Sequence, residues 1–96
     1  MKIFITKRAE KNYKSITNYL HKEWGANVVE ALNKRTRHFF DLLEIFPEMG
    51  SIEFPAKNIR GLQLTTQLRV FYTVKEDRII ILSFFDVRQN PEKKNF

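Results

Sequence analysis

The stretch Leu68-Arg-Val-Phe-Tyr-Thr-Val74, Lys75-Glu-Asp-Arg78, Ile79-Ile-Ile-Leu-Ser-Phe-Phe-Asp86 decides how this chain folds. Two runs rich in β-branched and aromatic residues flank a short polar break, the signature of a β-hairpin. A turn centred on Glu76-Asp77 sets Val74 opposite Ile79, Tyr72 opposite Ile81 and Val70 opposite Ser83. Strand alternation then sorts the side chains onto two faces. Leu68, Val70, Tyr72, Val74, Ile79, Ile81 and Phe85 make an ordinary core face. Arg69, Phe71, Thr73, Ile80, Leu82, Phe84, Asp86 and, if the strand continues, Arg88 make the other. That second face is apolar in its middle and carries two arginines towards one end.

Working outward, the chain in front of the hairpin is helical. Lys2 to Thr6 reads as a short strand, and Thr6 as the N-cap of a helix. Ala9, Tyr13, Ile16, Leu20 and Trp24 recur at steps of three or four and share one face, while Lys7, Lys11, Lys14 and Lys22 lie largely on the other. Gly25 is suited to end that helix. A second helix is expected from about Asn27 to Phe46, with Val28, Val29, Leu32, Thr36, Phe39, Leu43 and Phe46 as its apolar stripe. Pro47 stops it. So short a connection implies an antiparallel helical hairpin.

Ser51 to Asn58 shows no clear period, and Phe54-Pro55 marks extended or irregular chain. Ile59 to Leu64 reads as a strand weakened by Gly61, and Thr65-Thr66-Gln67 as the turn into the hairpin. The register of that strand is not readable, so the face of Arg60 stays open. Ile79 to Leu82 is apolar on both faces and is expected in the sheet interior. Past Val87 the apolar pattern ends, Asn90-Pro91 breaks any strand, and the tail from about residue 90 is expected to be flexible. The order is β-α-α-β-β-β, an α+β class in which an antiparallel sheet is backed by an N-terminal helical hairpin, as a single domain over 1–96.

The 96 residues carry a net charge of +6 and no cysteine. Disulfides and thiolate metal sites are excluded, which suits a cytoplasmic protein. No apolar run approaches the roughly 20 residues of a membrane span. A basic balance points to nucleic acid, an acidic protein or an anionic surface as partner. Gly25, Gly50 and Gly61 stand alone, so no phosphate loop is present. His21 and His38 sit on separate helices without acidic partners at ligand spacing, and no metal or other cofactor is expected. No serine has a nucleophile context, and Asp41 and Glu44 lie on a solvated helix face.

Arginine remains. Arg69 and Arg88 share a sheet face with aromatic residues, an arrangement that binds phosphate and stacks on single-stranded nucleic acid. A plainer reading stands beside it, in which Arg69 pairs with Asp86 at a sheet edge. Phe71, Leu82 and Phe84 on that face need a cover, which the tail or a partner protein can supply. Tyr19 and Trp24 near the end of the first helix offer a further docking surface.

The chain resembles the RelE/ParE superfamily of toxins from type II toxin–antitoxin modules. The resemblance rests on Thr6 and Ala9 after the first strand, on Tyr19-Leu20 and Trp24-Gly25, and on Phe46-Pro47 and Gly50. It continues through Arg60-Gly61-Leu62, Arg69 to Val74, Ile79 to Leu82 and Asp86 to Pro91. It implies a compact toxin wrapped by a cognate antitoxin in a hetero-oligomer. RelE-like members cleave messenger RNA on the ribosome, whereas ParE-like members poison DNA gyrase. For a RelE-like ribonuclease the resemblance implies Arg69, Arg88 and Arg60 as the catalytic basic residues; Lys93 or Lys94 are then the only nearby candidates for proton transfer. The companion basic residue near Arg60 and the C-terminal tyrosine of that branch are replaced here by Leu62 to Leu64 and by Lys93, Lys94 and Phe96. Trp24-Gly25 and the Asp86 to Pro91 ending are closer to ParE, so the resemblance favours a ParE-like toxin with gyrase as its target; the other class is an inactive module that only holds its antitoxin, or a small RNA-binding domain.

Overall fold

A computed structural model describes residues 1–87 of the chain. Strand β1 (Lys2–Ile5) leads into helices α1 (Lys7–Trp24) and α2 (Ala26–Ile45). Strands β2 (Ser51–Phe54), β3 (Ile59–Gln63), β4 (Leu68–Lys75) and β5 (Arg78–Asp86) follow, with a single 3-10 turn at Pro55–Lys57. The helical hairpin and the β3-β4-β5 meander are as the sequence predicts. The structure adds one strand, β2, which pairs antiparallel with β3. β2 was not legible because it is a short edge strand with Ser51, Ile52 and Glu53 exposed, so it has no buried face to create a period. The sheet order is β1-β5-β4-β3-β2, and β1 lies parallel to β5, so the sheet is mixed rather than wholly antiparallel.

Local chemistry explains the helix bounds. Thr6 caps α1, its Oγ1 accepting from the Ala9 amide at 3.1 Å. Gly25 closes α1 and opens α2 at φ +92°, a backbone state that side chains with a Cβ rarely adopt. The two helices cover one face of the sheet. Ala9, Ile16, Leu32, Phe39 and Leu43 meet Val70, Tyr72, Ile79 and Ile81 there, all buried. Trp24 and Phe46, at the ends of the predicted stripes, stay 56% and 59% exposed. No helix among the described residues is long and apolar enough to cross a membrane.

The central hairpin holds a correction. Next to the two-residue turn the register is as expected, with Val74 facing Ile79 and Tyr72 facing Ile81. Glu76 takes the positive φ, 54°, that tight hairpin turns demand. Beyond Tyr72 a β-bulge intervenes, and Phe71 faces Ser83 while Val70 faces Phe84. Leu82 is the extra residue. From there on every side chain of β5 changes face. Phe84 and Asp86 turn to the helix side, where they are 5% and 3% exposed, and Phe85 joins Arg69 on the outer side.

The bulge sits where β1 ends. β1 pairs with β5 only as far as Ile81, because the chain turns into α1 at Thr6. The backbone groups released there are met by α1. Thr6 Oγ1 donates to the Leu82 carbonyl at 3.1 Å, and the Phe84 amide donates to Asn12 Oδ1 at 3.2 Å. Removing that acceptor strands a part-buried amide. Asn12→Ala is expected to cost about 1–2 kcal/mol, and Asn12→Asp, which keeps an acceptor, less. Equilibrium urea unfolding of the two variants measures the difference.

Candidate functional site

The expected arginine cluster divides. Arg60 on β3 faces Tyr72 on β4, so it lies on the helix side of the sheet. Its Nη1 donates to the carbonyl oxygens of Gly50 at 2.7 Å and Glu48 at 3.2 Å, in the turn after α2. Arg69 faces Gln63 and Phe85 on the outer side. Arg88 lies outside the described residues, as do Lys93 and Lys94.

Arg69 does not pair with Asp86, as the plainer reading had it. Its guanidinium is ion-paired with Glu53 of β2 and lies 5.7 Å from the Phe71 ring centroid. Gly61 makes the pair possible. A Cβ at Gly61 would come within 2.7 Å of Glu53 Oε1 and 3.1 Å of Arg69 Nη2, so the missing side chain is the notch through which Glu53 reaches across β3. Gly61→Ala is therefore expected to displace Glu53. It and Glu53→Gln should each cost about 0.5–1.5 kcal/mol, and the double variant little more than either alone. A thermodynamic cycle by chemical denaturation checks this.

Of the aromatic and apolar residues expected to bind a partner, Phe71 is on the outer face but fully buried, with Phe54 packed 6.2 Å away. Leu82 is half-buried at the bulge. Tyr19 and Trp24 are exposed and stack edge to face at 5.9 Å. Phe84 moves into the site described next.

A cleft of about 700 Å³ opens between α1, α2 and β1. Ile5, Ala9, Tyr13, Phe40 and Phe84 form its apolar floor, and Lys11, Lys14 and Arg37 stand on its rim with Glu10. Phe84 packs edge-on against Tyr13 at 5.0 Å. The Tyr13 hydroxyl donates to Asn33 Oδ1 at 2.8 Å and lies 3.1 Å from Thr36 Oγ1. Burial pushes its pKa up, against a smaller opposing effect from Thr36 and Arg37. β1 is an edge of the sheet, and its Phe4 and Ile5 are about half exposed, Ile5 within the cleft lining. An apolar floor, a cationic rim and an adjoining sheet edge suit an amphipathic acidic segment of protein. Reading the sequence alone missed this cleft. The lysine face of α1 was visible, but Phe84 was expected on the opposite side of the sheet.

A model of the ParE toxin of type II toxin–antitoxin systems matches residues 3–91. The chain belongs to the ParE toxin family. Among solved structures, a ParE-family match is the chromosomal ParDE toxin–antitoxin system from P. aeruginosa. It has a TM-score of 0.75 and 17% identity, covering 91% of this chain and 96% of that one. A copper-bound mutant toxin from Helicobacter pylori has a TM-score of 0.65 and 15% identity, with 90% and 93% covered. The YoeB/ParE toxin from Agrobacterium tumefaciens has a TM-score of 0.63 and 12% identity, with 90% and 98% covered. At such identities these likenesses speak for the ParE-family fold alone. No curated sequence is similar enough to match the chain.

Proposed function

We propose that this ParE-family toxin arrests bacterial growth by poisoning DNA gyrase, and that a cognate antitoxin holds it inactive. The observation that carries the first part is the separation of Arg60 from Arg69. They lie on opposite sides of the sheet, one engaged with turn carbonyls and the other with Glu53. Phosphodiester cleavage needs convergent groups that stabilise charge on one phosphate and move a proton. The described residues offer no such convergence, which favours action by binding over a RelE-like ribonuclease.

For the second part, the cleft between α1 and α2 is the proposed antitoxin seat. Its floor and rim match an acidic amphipathic segment, and the edge of β1 can accept an added strand. Tyr19 and Trp24 are proposed as a further contact along α1. The P. aeruginosa structure, described as a ParDE toxin–antitoxin system, supports a toxin that works with a partner chain.

The test is induced expression of the chain alone in a bacterial host. DNA breaks, an SOS response and intact messages are expected, with growth restored by the antitoxin. Purified toxin should inhibit supercoiling by purified gyrase. Messages cut within codons, without DNA damage, would replace this reading with ribonuclease action.

A further inference from the structure

One end of the sheet carries charge that neither the cleft nor the Arg69 pair uses. Lys2 of β1 stands opposite Arg78 of β5, and Arg78 stands opposite Lys75 of β4. The next residues along, Ile3 and Ile79, pack against the helix-side core, so the three cations share the outer side. Their strands lie about 4.8 Å apart. All three are exposed, and among the described residues none is ion-paired with a carboxylate.

Like charges set directly opposite one another destabilise a sheet. A lysine on an edge strand guards against unwanted pairing, but that accounts for Lys2 alone. β5 and β4 lie inside the sheet, so Arg78 and Lys75 guard no edge. The opposing charges nearby are Glu76 and Asp77, exposed in the turn that joins β4 to β5, and the three cations outnumber them. The Met1 ammonium is held at the Glu44 carbonyl of α2 at 3.3 Å and is not part of the row.

An aromatic ring adjoins the row. Phe4 stands opposite Ile80 on the same side and is 48% exposed. The Arg78 guanidinium lies over its ring, 5.7 Å from the centroid. An acidic protein segment takes its hold from apolar side chains seated in a pocket, as the cleft between the helices offers. Here a guanidinium over an aromatic ring stands in that place. Single strands are held by such means, their phosphates by cations and their bases by stacking on aromatic and guanidinium surfaces. We infer that Lys2, Lys75, Arg78 and Phe4 form a binding site for single-stranded nucleic acid. The cations take the phosphates, and a base stacks on the Phe4–Arg78 pair. A duplex keeps its base faces covered and is left with the charge alone. The site lies across the sheet from the cleft and needs no partner protein, so it stands apart from the gyrase reading.

The experiment is fluorescence anisotropy of labelled oligothymidine, oligouridine and a duplex of equal length, titrated with the full toxin chain at low salt. The single strands are expected to bind more tightly than the duplex, and the tighter of the two identifies DNA or RNA as the ligand. Lys2→Gln, Lys75→Gln and Arg78→Gln together should weaken single-strand binding by at least about ten-fold. They should also reduce the slope of log affinity against log salt by about two. The melting temperature should not fall, because a repulsion is removed. If it does fall, Lys75→Gln alone carries the test, with a slope change of about 0.7. Phe4→Leu should weaken single-strand binding by at least about five-fold and leave the duplex unchanged. Lys7→Gln, Lys22→Gln and Lys34→Gln together remove the same charge from exposed positions on the helices and should cost less than about three-fold. Equal losses from the two triple variants would reduce the binding to overall charge and overturn the inference. So would a duplex bound as tightly as the single strands, or a wild-type chain that binds none of the three. A sheet-row variant that keeps its affinity but self-associates would return the three cations to protection of the sheet.

Discussion

Tyr72→Ala is expected to abolish the folded state. The Tyr72 side chain is wholly buried, its ring edge-on to Phe39 at 6.5 Å. Cutting a buried aromatic to alanine costs about 3–5 kcal/mol. The loss of its hydroxyl also leaves the buried Gly50 amide without its acceptor, for about 1–3 kcal/mol more. Against a stability of roughly 5–15 kcal/mol for a domain, that is most of the total. The expected result is a lost near-UV dichroism signal and no cooperative melt at 25 °C. A cooperative transition close to that of the wild type would contradict this account of the core. Tyr72→Phe keeps the ring and removes only the two hydrogen bonds, so it isolates the hydroxyl. Its cost should be about 1–3 kcal/mol, at about 4–8 °C of melting temperature per kcal/mol.

The same hydroxyl sets an alkaline limit. Burial pushes the Tyr72 pKa above its ordinary value of 10.0, outweighing the Gly50 amide and Arg60, which pull it down. The folded chain therefore holds the phenol proton more tightly than the unfolded chain does. This contribution to stability is complete below pH 10 and is lost as pH rises through the raised value. Tyr13 acts in the same direction. Melting temperature should fall steeply above about pH 10, and Tyr72→Phe should make that fall shallower.

Reversing the rim of the cleft is expected to separate toxin from antitoxin. Lys11→Glu, Lys14→Glu and Arg37→Glu together turn three cations on the rim into carboxylates. Lys11, Lys14 and Arg37 are all exposed, so the triple variant should fold normally. Arg37 also meets Glu30 at 3.7 Å, but both side chains are about two-thirds exposed, and such a pair contributes little. An acidic segment that wild-type toxin attracts is repelled by the variant. Affinity should drop by at least about a hundred-fold, with the larger change in association rate. Wild-type binding should weaken with added salt. In cells the variant should remain toxic and no longer be rescued. Unchanged antitoxin affinity in the triple variant would remove the cleft as the antitoxin seat.

The residues show why some of this was legible and some was not. Thr6 and Gly25 bound α1 through interactions with residues three or four positions away, and the stripes of both helices repeat at similar spacing. The Glu76-Asp77 turn fixes the register of its immediate neighbours. Such signals are local, so sequence alone determined the two helices, the meander and the core role of Tyr72. The pattern of motifs along nearly the whole chain likewise pointed to the ParE family that the 3–91 match bears out.

Everything that needed two distant segments to meet was decided by tertiary structure. β2 exists as a strand because β3 lends it hydrogen bonds, not because its own residues alternate. The partner of Arg69 is Glu53, on that same illegible strand, reached through the notch at Gly61. The bulge at Leu82 arises where α1 crosses the end of β1, and it alone moves Phe84 from the outer face to the floor of the cleft. A strand changes face every residue, so one inserted residue inverts all that follow. Periodicity read along a single strand cannot register an insertion that a helix some seventy residues earlier imposes.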